Sequence, residues 1–286
     1  MRRAGVRAAA HYKALLIQNN CIKIHSMALC HAFRFWLAYE NDMMKKWIIA
    51  AALAAVTVNA YAAEKIRFAV SATYPPFESL DHDNQIVGFD IDLAKALCAK
   101  IKAECTFTNN AFDSLIPSLK FRRYDAVISG MDITAERSKQ VDFSQPYYAN
   151  SAIVIARKGE FSDFSQLKGK RIGVENGTTH QKYLTEKHPD VVAVAYDSYQ
   201  NAILDLKNGR LNGVFGDSAV VSQWLKANED LTTVGEHVTD AGYFGNGLGI
   251  AVRKGNSDLL NEFNTALAAL KADGSWQQIN QKWFPE

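Results

Sequence analysis

Residues 171–217, RIGVENGTTHQKYLTEKHPDVVAVAYDSYQNAILDLKNGRLNGVFGD, read as strand, helix, strand, helix, strand. The pattern predicts strands at Arg171–Glu175, Val191–Ala195 and Gly213–Gly216. Helices are predicted at Thr178–His188 and Tyr199–Lys207, with a further one at Ser218–Asn228. Such alternation implies an α/β protein with open, mostly parallel sheets. The same rhythm runs outward. Towards the N-terminus, Lys65–Val70 alternates as a strand, and Asp90–Lys102 puts Ile91, Ala94, Leu97, Cys98 and Ile101 on one helical face. Cys105–Thr108 reads as a strand, Asp113 as the cap of a helix that turns Leu115, Ile116 and Leu119 inward, and Tyr124–Ser129 as a buried strand. Towards the C-terminus, Leu248–Val252 is a last strand, closed by helices at Leu259–Leu270 and Ser275–Phe284.

Part of the deciding stretch has a weak echo upstream. Phe112–Gly130 can be laid over Tyr199–Asp217: an aromatic residue, a helix, Leu-Lys, an Arg, then a small-residue apolar strand. Any helix–turn–strand unit shares some of this. The sharper reading is two lobes of like design facing one cleft, with a ligand at the carboxyl ends of their strands.

Of the 286 residues, 48% are apolar and 22% charged, an ordinary globular composition. Residues 1–62 hold 8 Lys/Arg against 2 Asp/Glu, which leaves 24 basic and 28 acidic residues, net −4, in the rest. A mildly acidic body without a basic stripe gives no reason to expect nucleic acid as a partner. Met44-Lys45-Lys46, the apolar run Trp47–Val58 and Ala60-Tyr61-Ala62 have the three regions of a secretory signal peptide in order, with cleavage expected after Ala62. The apolar run is too short to span a bilayer, which needs about 20 residues. Residues 1–43 then form an upstream extension that is not expected to belong to the native fold. Cys21 and Cys30 lie in that extension, leaving Cys98 and Cys105 as an even pair in an exported chain, hence a disulfide candidate. A metal reading lacks further Cys or His at ligand spacing, and a catalytic cysteine ranks behind the disulfide. No metal and no cofactor are expected.

Several motifs then combine: Ser71-Ala-Thr-Tyr-Pro-Pro-Phe77, Gly88-Phe-Asp-Ile-Asp-Leu93, Phe112-Asp-Ser-Leu-Ile-Pro-Ser-Leu119, the run Asp125–Arg137, and Glu175-Asn-Gly-Thr-Thr-His180. Together they resemble the periplasmic polar amino-acid-binding proteins of ABC importers, above all the arginine-binding members, across essentially all of Ala63–Glu286. The resemblance implies two α/β lobes joined by a two-crossing hinge: residues 63–149 with 248–286 as one lobe, 150–247 as the other. It implies a monomer without catalytic residues that captures L-arginine and hands it to an inner-membrane permease with its ATPase.

The resemblance also assigns residues. Arg137 clamps the ligand carboxylate with a planar fork; alone, an arginine in such a polar run reads as a surface charge. Gly177-Thr178-Thr179 opens a helix whose free N–H groups favour an anion, Thr179 lying at the site. Asp217 contacts the ligand ammonium, although an Asp after a strand is commonly just the next helix's cap. The backbone of Ser129 and Gly130 and the side chain of Asp132 complete the site; relatives often carry Ser or Thr at Asp132, and an acid there favours a cationic ligand. Tyr74 and Phe112 sandwich the ligand side chain, where each alone would read as core. Glu78 is placed to reach a distal guanidinium, with a surface role as its alternative. Ser71 stands where some basic-amino-acid binders carry Asp, which counts against lysine or ornithine. His180 lines the pocket, or is structural. The other functional readings are a periplasmic enzyme on the same fold, similar to cyclohexadienyl dehydratases, and a binder of lysine, ornithine, histidine or glutamine.

Overall fold

The computed structural model describes residues 64–285. The expected extension, the signal peptide with its cleavage after Ala62, and Cys21 and Cys30 lie outside them. Strand β1 (Lys65–Val70) starts the first sheet and buries Ile66, Phe68 and Val70. A three-stranded meander, β2 (Thr73–Tyr74), β3 (Glu78–Leu80) and β4 (Ile86–Val87), follows, with Tyr74 paired to Glu78. Helix α1 (Phe89–Ile101) has Asp90 and Asp92 in its first turn, where negative charge suits the helix dipole, and buries Phe89, Ile91, Leu93, Ala94 and Leu97. Lys102, at φ 59°, ends it in the left-handed region, and the chain returns as β5 (Glu104–Asn109) beside β1. Cys98 and Cys105 form a disulfide across this turn, with Cα atoms 6.1 Å apart. Closing so short a loop restricts the unfolded chain by about 2.5 kcal/mol.

The remaining elements of this lobe are a 3₁₀ turn (Phe112–Ser114), α2 (Leu115–Lys120), β6 (Ala126–Val127), α3 (Ala135–Ser138) and β7 (Val141–Phe143). The second lobe holds β8 (Ala152–Arg157), β9 (Arg171–Glu175), α4 (Thr179–Lys187), β10 (Val192–Tyr196), α5 (Tyr199–Lys207), β11 (Gly213–Asp217), α6 (Ser218–Ala227), β12 (Leu231–Val238) and α7 (Ala241–Phe244). The chain then returns as β13 (Ala251–Arg253), α8 (Ser257–Ala272) and α9 (Ser275–Trp283).

The two sheets are built alike. The first has the order β5-β1-β6-β13-β7 and the second β10-β9-β11-β8-β12. In each, four strands run in one direction and a single one, β13 in the first sheet and β8 in the second, runs against them. The sheets are mostly parallel, as expected, each with one reversed strand. Strands β7, β8 and β12 are absent from the sequence pattern. The chain passes between the sheets twice, from β7 to β8 and from β12 to β13. In the second passage Gly245 has φ 61°, and a Cβ there would collide with the Ile133 carbonyl, so the backbones approach as only glycine permits.

Three local expectations are corrected. The ladder expected over Tyr124–Ser129 is confined to Ala126–Val127, and the chain turns at Gly130, φ 50°. The strand expected at Leu248–Val252 forms as Ala251–Arg253, while Leu248 makes isolated bridges to Asp132 and Tyr148. Asp113 does not cap α2. It lies inside the 3₁₀ turn, the N-cap is Ser114, whose side chain makes no capping bond, and Asp113 accepts instead from Asn176 of the second lobe at 2.7 Å.

Candidate functional site

The carboxyl ends of the strands face one another across a cleft. A narrow cavity there is lined from the first lobe by Ser71, Tyr74, Glu78, Phe112, Gly130 and Asp132, and from the second by Glu175, Thr178, Thr179, His180, Tyr199 and Asp217. About 10 Å³ of it is open to a water-sized molecule, space for about one water. Contacts between the lobes hold it shut: Tyr74 to Asp217, Thr179 to Asp132, Gln200 Nε2 to the Thr73 carbonyl at 2.5 Å, and the Lys182–Glu136 ion pair at the rim. A larger open groove beside it, about 490 Å³, runs past Arg137, Gly177 and Gln181 to solvent.

Arg137 sits in the single turn of α3, whose N-cap Thr134 accepts from the Arg137 N–H. The guanidinium is buried. Nη1 donates to the Asp132 carbonyl at 3.1 Å and Nη2 to the Gly177 carbonyl of the second lobe at 3.2 Å, while its carbon lies 5.4 Å from the centre of the Phe112 ring. Burial lowers its pKa, opposed by Asp132, Asp217 and Glu136. Two of its five N–H donors are used in these bonds, so others remain for an anion.

Asp132 and Asp217 face each other from opposite lobes. Nδ2 of Asn150, in the first crossing segment, donates to Asp132 Oδ1 at 2.6 Å and to Asp217 Oδ1 at 2.7 Å. Thr179 Oγ1 donates to Asp132 Oδ2 at 2.5 Å, and Tyr74 OH donates to Asp217 Oδ2 at 2.6 Å. Asp217 occupies the N-cap position of α6 without making a cap bond, so its carboxylate is turned into the cleft. His180 Nε2 is 3.1 Å from Asp217 Oδ1 but too poorly aligned for a hydrogen bond; its Nδ1 lies 3.1 Å from Tyr199 OH. Burial pushes the Asp132 carboxyl up to about 6, and the charge of Asp217 adds to it. Thr178 caps α4 as the sequence implies, accepting from Gln181 N–H.

A second set of acids lies behind. Glu78 is fully buried, which excludes the surface alternative. It is held by a relay: Ser71 N–H donates to Ser129 Oγ at 2.9 Å, which donates to Glu78 Oε1 at 2.7 Å. The Ser129 hydroxyl is thus spent inside the protein. The Gly130 N–H is also committed, donating to Asp90 Oδ2 at 2.8 Å. Burial raises Glu78 well above the usual carboxylate range, and Asp90 to about 7.

Tyr74 and Phe112 line the same cavity without stacking on each other. Tyr74 stacks on Tyr199, with centroids 5.2 Å apart. Tyr199, Glu175, Asn150 and Asp90 are site residues that the sequence reading missed. Tyr199 had a signal, since the internal repeat lays it over Phe112. Among the described residues, no group of three or more His, Cys, Asp or Glu is arranged to hold a metal ion, and no helix is long and apolar enough to cross a membrane.

A family profile described as bacterial extracellular solute-binding proteins, family 3, matches residues 66–286. ABC transporter arginine-binding protein 1 of Escherichia coli (strain K12) is 68% identical over 243 residues, 85% of this chain and 100% of that one. The arginine-binding periplasmic protein of Mannheimia haemolytica is 47% identical over 212 residues, 74% of this chain and 88% of its own. The solved structure of a Salmonella typhimurium periplasmic binding protein, described for its high arginine specificity, superposes with a TM-score of 0.75 at 56% identity, covering 78% of this chain and 100% of that one.

Proposed function

The chain belongs to the bacterial extracellular solute-binding proteins, family 3, and we propose that it captures L-arginine between its lobes and delivers it to an inner-membrane ABC permease with its ATPase. One observation carries the reading: Arg137 and the carboxylates of Asp132 and Asp217, all buried, converge on one cleft closed from both lobes. An α-amino acid needs this pair of opposite clamps. Arg137 takes the carboxylate, aided by the start of α4, and Asp217 takes the ammonium with Asp132 beside it. Tyr74 and Phe112 flank the side chain, Glu78 reaches its distal cation, and His180 and Ser71 complete the wall.

Because these groups divide between the lobes, residues 63–149 with 248–286 act as one body and 150–247 as the other. Ligand contacts made only when both bodies meet favour the closed state. The narrow cavity supports this, since an amino acid enters only when the lobes part. The protein works in the periplasm as a monomer, released by cleavage after Ala62. It is a binding protein rather than an enzyme, as its relatives are. The test is native mass spectrometry of protein purified without refolding, followed by calorimetry with L-arginine. A co-purified arginine and a saturable heat are expected; protein that carries none and gives no heat overturns the reading.

A further inference from the structure

We infer that Glu78 and Glu175 form a two-sided seat for the ligand's distal cation, with one carboxylate supplied by each lobe. The inference rests on the arginine reading and adds Glu175, on the far side of the cleft, as a residue that sets specificity. Both side chains line the cavity, Glu78 at 0% and Glu175 at 3% exposure. Glu78 Oε2 and Glu175 Oε1 have no hydrogen-bond partner. A buried carboxylate oxygen without a donor is costly, and two of them bounding one cavity is an arrangement that a cation relieves. Asp90 Oδ1 also lacks a donor; its carboxyl lies against that of Glu78, from behind the cavity, so it backs the seat without lining it.

No cationic side chain is among the main influences on either carboxyl. Burial pushes Glu175 up to about 8, and the charges of Asp113, Asp197 and Asp217 push the same way. Burial raises Glu78 too, followed by Asp90 and, at longer reach, by Glu175 itself. The two acids therefore oppose one another across the cleft. A guanidinium is flat and carries five N–H donors, enough to serve a carboxylate on each side. The stacked rings of Tyr74 and Tyr199 border the same space. Glu78 rides on β3 and Glu175 ends β9, so a cation between them ties one lobe to the other. A ligand without that cation leaves two acids facing each other in the closed state. Selection then acts on closure as well as on contact.

The experiment is calorimetry of the full chain, its Glu175→Gln variant and its Glu78→Gln variant with L-arginine and with L-citrulline, a neutral analogue of the same shape. Glu175→Gln should weaken arginine binding by about 10- to 100-fold, as expected for losing a charged hydrogen-bond partner. Citrulline binding should stay within about threefold, since its neutral group does not need the charge. Glu78→Gln should do the same. Thermal unfolding of the ligand-free variants should match or exceed the parent, because a buried carboxylate is removed. Parent-like arginine binding in Glu175→Gln overturns the inference. An equal loss of arginine and citrulline overturns it too, since that marks a structural role. A parent that binds no arginine overturns the arginine reading instead.

Discussion

Two pairs of buried acids share the cleft, and they are treated in opposite ways. Asp132 and Asp217 have all four carboxylate oxygens supplied, by Asn150, Thr179 and Tyr74. Glu78 and Glu175 each keep an oxygen with no donor. The first pair is a finished piece of protein structure whose donors come from both lobes and from the crossing between them. It is complete in the closed form without a ligand, so on the proposed reading an entering amino acid takes the place of the inter-lobe donors Tyr74 and Thr179. The second pair is unfinished: Glu175 Oε1 has no donor, and Glu78 has only Ser129 and the neighbouring Asp90 carboxyl beside it, which is where the inferred ligand cation would bind. On the proposed reading, affinity for the amino-acid core and choice among side chains fall to different residues.

The strongest way to break this division is Arg137→Ala. It removes the charged partner proposed for the ligand carboxylate from a desolvated cleft and should cost several kcal/mol, abolishing arginine binding by calorimetry while the ligand-free protein unfolds as before. Parent-like binding would leave the finished pair without its opposite clamp.

A pH series sharpens the contrast next. Asp132 titrates near 6 in the fold, against about 3.9 in an unfolded chain. It therefore binds its proton more tightly when folded. The stability this confers is complete below about pH 4 and lost as pH rises through about 6. Between pH 4 and 7 the ligand-free parent should lose up to about 3 kcal/mol relative to Asp132→Asn, read from denaturant titrations of both. A difference independent of pH would mean that the donors around Asp132 fully offset its burial.

The disulfide lies outside both pairs. Replacing Cys98 and Cys105 by Ser should lower unfolding stability by about 2.5 kcal/mol and leave arginine affinity unchanged by calorimetry. A change in affinity would mean that the α1–β5 turn is coupled to the cleft. The smallest effect is expected for Phe112→Ala, about 0.5–2 kcal/mol from the loss of one aromatic face. A loss as large as that of Arg137→Ala would show that Phe112 acts through the Arg137 guanidinium above it.

Much of this architecture was legible as periodicity, and what escaped did so for physical reasons. The parallel strands β1, β9, β10 and β11 follow or precede helices and carry a clear rhythm. Strand β8 is an unbroken apolar run placed directly after a crossing, where it has no preceding helix to mark it. Strand β12 is interrupted at Gly235, φ 68°, where its pairing with β8 shifts register. In the cleft, Arg137, Asp132 and Asp217 stand in recognisable motifs. Glu175 stood in a quoted motif too, but its meaning lies in a missing hydrogen bond, which only the folded neighbourhood defines. Asn150 carries no local signal, because its role comes from two acids that the fold brings together from distant strands.

The order of the strands also dictates an order of assembly. The second sheet is complete within residues 152–238, from neighbours in the chain. The first leaves β6 and β7 without their shared neighbour until Ala251–Arg253 is inserted between them. As the chain is made or threaded from its N-terminus, one lobe is able to close early. The other keeps open strand edges until nearly the last residues emerge, a long-range pairing that is intrinsically slow. The same insertion that fastens both crossings to one sheet thus makes the finished cleft the last thing the chain acquires.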